Sequence, residues 1–130
     1  GPYHEGMYAL TEAAIAWRAG DRATAGWLAG RARDAFRAVG LAAHLLLAEG
    51  LAAVTAGASA GQLAELGQRA SACPEPEIAL QVFGLLARAQ PRRAATWAER
   101  ARAVPVTRDP ARHGVRLDVL SIHECLEPTR

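Results

Sequence analysis

Residues 41–56 read LAAHLLLAEGLAAVTA, and their polarity decides the architecture. His44, Glu49 and Gly50 interrupt a stretch that is otherwise apolar almost all round a helix. A helix with no polar face is a central one, covered by neighbours on several sides. Nor is it a membrane span, because no apolar run in the chain reaches the ~18 residues that crossing a bilayer requires. The stretch therefore predicts a central helix around which other helices pack.

Working outward, the flanking segments show helical periodicity cut into short pieces by Gly and Pro. Upstream, a helix is predicted from about Met7 to Ala19, with Met7, Leu10, Ala14 and Trp17 on one face. Gly20-Asp21 closes it, and Asp21 is suited to cap the next helix, about Arg22 to Val39. That helix gathers Ala25, Leu28, Ala32, Ala35 and Phe36, leaves Arg22, Arg31, Arg33, Asp34 and Arg37 to water, and stops at Gly40. Downstream, Ser59 is a cap for a helix over Gln62 to Ala72, and Pro74-Glu75-Pro76 ends that unit. Glu77 to Ala89 follows with Ile78, Val82, Leu85 and Leu86 in register, then a helix from Pro91 to about Ala103, stopped by Pro105. A last helix over 109–127 carries Val115, Val119, Ile122 and Leu126; Val115 to Ile122 is also β-branched enough for a strand.

The 130 residues suit one domain. Alanine makes up nearly a quarter of them and aromatics are scarce, a composition for helices whose axes approach closely. Fifteen arginines face thirteen acids, with no Lys or Asn, and the acids are interspersed along the chain. That balance argues against nucleic acid as partner. The bias toward Ala, Arg and Gly resembles GC-rich bacterial coding. Gly1-Pro2 resembles a protease-cleavage scar, so residues 1–6 are expected to be a flexible lead and the domain, 7–127, an excised piece of a longer protein. No secretory signal is read at residues 1–6, and the expected compartment is the cytoplasm. Cys73 and Cys125 lie far apart without metal-ligand spacing and read as small buried hydrophobes.

The segments pair into three antiparallel helix hairpins plus a C-terminal helix, and the hairpins look alike. Arg31-Ala32-Arg33, Arg69-Ala70-Ser71 and Arg100-Ala101-Arg102 each sit late in a second helix, at separations of 38 and 31 residues. Turns recur at Ala19-Gly20-Asp21, Ala56-Gly57-Ala58 and Ala89-Gln90-Pro91. A helix–turn–helix period near 34 points to a solenoid. On these residues the chain resembles a tetratricopeptide-repeat array. Ala13, Gly20, Ala25 and Ala32 fall at the family's small-residue positions, and Ala94 and Ala101 repeat the seven-residue spacing. The copies run over about 7–40, 41–74 and 77–104, with 109–127 as capping helix. They depart from the pattern at Ala16, where the family has a bulky aromatic, and at Leu63, where it has Ala. The match is to degenerate repeats of large bacterial regulators and signalling kinases.

The resemblance implies a concave wall built from the first helix of each hairpin. That wall would hold Met7, Leu10, Ala14, Trp17 and Arg18, then Ala79, Phe83 and Leu86 with Arg88 nearby. His44 either joins this groove or, like Glu49, sits at a rim or meets a partner on a neighbouring helix. Trp17, Trp27 and Trp97 read mostly as core. Family members that clamp a peptide's terminal carboxylate do so with Lys and Asn, and this chain has neither. The implied partner is an apolar helical or extended protein segment, or another domain of the parent chain. Two other readings stand beside it: a small-molecule sensor with an apolar pocket near His44, Trp17 and Phe83, or a self-association module. The arginines 31, 33, 37, 92, 93, 100 and 102 read as a solvated face paired in part to Asp34 and Glu99.

Catalysis is not expected. HExxH is absent, and His123 and Cys125 would point about 200° apart on a helix, so they could not chelate one ion. Gly57, Gly61 and Gly67 have no following Lys-Ser or Lys-Thr, as a phosphate loop would. No cofactor or metal is implied.

Overall fold

A computed structural model describes residues 1–105 of the chain. The expected final helix, its alternative strand, His123 and Cys125 lie outside the described residues. Within them the protein is all-α: α1 (Pro2–Arg18), α2 (Arg22–Val39), α3 (Ala42–Thr55), α4 (Ala60–Ser71), α5 (Pro76–Ala89) and α6 (Ala94–Arg102). A 3-10 turn, Pro91–Arg93, leads into α6. None of these helices is long and apolar enough to cross a membrane.

The first helix begins at Pro2, ahead of the expected start at Met7, and this corrects the reading of 1–6 as a flexible lead. Pro2 stands in the first turn, where no N–H is needed. Gly6 is buried, and a Cβ there would come within 2.7 Å of the Phe36 ring. This glycine marks a close approach of α1 to α2 rather than a break.

The other boundaries follow local chemistry. Gly40 ends α2 at φ +71°, and the next N–H, of Leu41, donates back to the Phe36 carbonyl at 3.1 Å. At α4, Ser59 Oγ accepts from the Gln62 N–H at 3.2 Å while Gln62 Oε1 accepts from the Ser59 N–H at 2.9 Å. Asp21 caps α2 by accepting from the Thr24 N–H at 3.1 Å. The Thr24 hydroxyl first, and its N–H second, hold the Asp21 carboxyl below the ordinary carboxylate value of 3.8. A carboxyl lowered in the folded state stabilises above its unfolded value and loses that contribution as pH falls through the folded one. Asp21→Asn, which keeps an accepting oxygen, should therefore flatten the acid limb of the stability–pH curve. Equal acid limbs for the two proteins in urea titrations would contradict the assignment.

The core forms along two helices. Leu46, Leu47, Ala48, Gly50, Leu51 and Val54 of α3 are buried, and α3 packs against α1, α2, α4 and α5. This is the central position expected from residues 41–56. α5 is enclosed still further: Ile78, Ala79, Val82, Phe83, Leu85, Leu86 and Ala87 are all buried, together with Gln81 and Gly84. Ala13, Ala25 and Ala32 have no exposed surface, and Ala101 keeps 2%. Small side chains thus stand where helices cross.

Candidate functional site

The residues assigned to a concave wall divide sharply by burial. Leu10, Ala14, Phe83 and Leu86 have no exposed surface and belong to one continuous apolar core. Leu10, Ala14 and Leu86 thus present no open surface, and Phe83 meets open space only as part of a cleft wall. Met7 and Trp17 are half-buried against the same core, Arg18 is exposed, and Arg88 is half-buried on α5. The physical reason is that helical spacing identifies an apolar face but not what lies on it.

His44 and Glu49 separate by environment. The His44 ring lies 5.2 Å from that of Phe36 and 6.2 Å from that of Tyr3, and its Nδ1 is buried without a hydrogen-bond partner. Glu49 does find partners on neighbouring helices. Its Oε2 accepts from Arg69 Nη1 of α4 at 2.7 Å, and its Oε1 stands 3.9 Å from Arg37 Nη2 of α2. Other arginines pair on the wet face as expected, Arg33 with Asp34 and Arg102 with Glu99, both at 3.3 Å.

The surface that does stand open was missed in the sequence. Tyr8 is 70% exposed, Ile15 52% and Trp27 64%. Tyr8 and Ile15 share the outward face of α1, two turns apart, and Trp27 stands on α2 with the Arg31 guanidinium 5.1 Å over its ring. Trp27 was expected in the core. The correcting signal was present, since Trp27, Arg31 and Asp34 fall on one side of a helix and that side is the wet one.

A cleft of about 240 Å³ opens where the ends of α4 and α6 meet the start of α5. Phe83, Ala79 and Ala70 line it, with Cys73, Arg100 and Val104 at its margins. Of the residues expected around a small-molecule pocket it contains Phe83, and not His44 or Trp17. Cys73 is half-buried, its thiol 3.6 Å from the Glu75 carbonyl oxygen. Among the described residues no three His, Cys, Asp or Glu side chains gather as a metal site would require.

No protein-family model matches the chain, and neither a curated protein nor a solved structure does.

Proposed function

We propose that this chain is a protein-interaction domain, a short degenerate array of tetratricopeptide-like hairpins serving a larger bacterial regulatory or signalling protein in the cytoplasm. Its role is to hold an apolar helical or extended segment of a partner or of its parent, without catalysis of its own. The observation that carries the reading is the exposed set Tyr8, Ile15 and Trp27 on the first two helices. Large apolar side chains left exposed are candidates for contact, and Trp, Tyr and Arg dominate binding energetics at interfaces. Arg31 over Trp27 adds a cation that can reach a carbonyl or carboxylate of the bound segment.

Peptides selected by display against the whole chain test this directly. Enriched sequences should share apolar positions at helical or alternating spacing. Trp27→Ala should weaken their binding about 30-fold, the size of a ~2 kcal/mol anchor. Binders indifferent to both Trp27→Ala and Tyr8→Ala would sink the assignment of this face.

The small-molecule reading has the cleft beside Phe83 in its favour, although about 240 Å³ is below the ~300–1,000 Å³ usual for ligand sites. Self-association would use the same Tyr8, Ile15 and Trp27 surface, and light scattering separates it from capture of a foreign segment.

A further inference from the structure

The cleft between α4, α5 and α6 is apolar over most of its wall and charged at one place. Ala70 of α4 and Ala79 and Phe83 of α5 form its apolar side, with Pro74, Pro76 and Val104 around them. Arg100 of α6 carries the one permanent charge among the described residues of that wall. About 240 Å³ is the volume of roughly eight waters, which suits a small molecule rather than a helix.

The Arg100 side chain is held in place. Its guanidinium lies 5.1 Å from the centre of the Trp97 ring, and its Nη1 is 3.3 Å from the point a Cβ on Gly67 would occupy. The missing side chain at Gly67 thus gives the guanidinium a seat between α4 and the indole. Ion pairs among the described residues take Arg33, Arg37, Arg69 and Arg102 to carboxylates and leave Arg100 without one. A planar cation that is already ordered loses less freedom on receiving a carboxylate than a mobile one does. The helix ends at the cleft oppose one another. α4 and α6 end there, with partial negative charge, and α5 begins there, with partial positive charge. Each end amounts to about half a unit, so the full charge of Arg100 sets the sign.

We propose that this cleft binds a small carboxylate with an apolar body. The carboxylate sits on the Arg100 guanidinium, and the body lies against Phe83, Ala79 and Ala70. The site rests on the small-molecule reading of the cleft and gives it a ligand class. Tyr8, Ile15 and Trp27 have no part in it, since none of them lines the cleft.

Amide NMR titrations of the full chain with phenylacetate, acetate, phenylacetamide and phenethylamine decide the matter. Phenylacetate should shift amides within 70–79 and 100–104 saturably. It should bind about tenfold more tightly than each of the other three, the size of a charge-assisted hydrogen bond. Arg100→Gln, at an exposed position, should bring phenylacetate down to the affinity of phenylacetamide. Saturating phenylacetate should also slow the alkylation of half-buried Cys73 by iodoacetamide several-fold. If Arg100→Gln fails to fold, the order of the four probes and the protection of Cys73 decide the question. No saturable shift from any probe would overturn the site and the small-molecule reading together. Phenylacetamide or phenethylamine binding as tightly as phenylacetate would keep a small-molecule cleft and overturn the carboxylate. Acetate binding as tightly would overturn the apolar body, and a carboxylate preference that survives Arg100→Gln would overturn the role of Arg100.

Discussion

Trp97→Ala should lower the free energy of unfolding by about 3–5 kcal/mol, the range for deleting a large aromatic from a packed interior. Trp97 is 1% exposed, and more than apolar area holds it. Its ring stacks on Phe83 with centroids 6.2 Å apart, and the guanidinium groups of Arg93 and Arg100 stand 5.5 and 5.1 Å from its centre. Its Nε1–H donates to Gln90 Oε1 at 2.8 Å. On the α4 side the ring occupies the space in which a Cβ on Gly67 would have to sit. Truncation leaves a cavity between α4, α5 and α6 that rigid backbone on three sides cannot close. Urea denaturation monitored by far-ultraviolet circular dichroism measures the loss. A change under 1 kcal/mol would mean that α6 contributes little to the fold.

Ala32→Leu should cost about 1–3 kcal/mol through overpacking. Ala32 has no exposed surface and lies on the side of α2 that also buries Ala25, Leu28, Ala29 and Phe36. The added methylenes have no room unless α2 moves away from its neighbours, and such a shift would also disturb the Gly6–Phe36 approach. Ala38→Leu on the same helix is the control, because Ala38 is exposed and both residues are good helix formers. The two variants should differ in melting temperature by several degrees. Equal melting temperatures would contradict a close crossing at Ala32.

Element type and order were legible because the punctuation is chemical. Asp21, Gly40 and Ser59 each perform the capping role that their side chain or missing side chain suggests. The start of α1 was not legible, because Gly6 reads as a breaker in sequence while its role is to admit the Phe36 ring. Burial was legible for α3 and understated for α5. Ile78 to Ala87 carries a single polar side chain, Gln81, and so resembles residues 41–56 in kind. The burial of Phe83 and Leu86 was not legible for a related reason: both lie on an apolar face, and only tertiary packing tells whether such a face is an interior or a doorstep. Trp27 shows the converse. It read as core in sequence, whereas its register beside Arg31 and Asp34 places it in water.

The bond network at Glu49 bears on how this protein can be taken apart. One carboxylate on α3 holds an arginine from the helix before it and another from the helix after it. A chimaera cut between α2 and α3, or between α3 and α4, would carry away one arginine and leave the half-buried acid with a weakened counter-charge. Chimaeras should thus tolerate cuts in this fold unevenly, with α2, α3 and α4 best exchanged as a block rather than as separate beads.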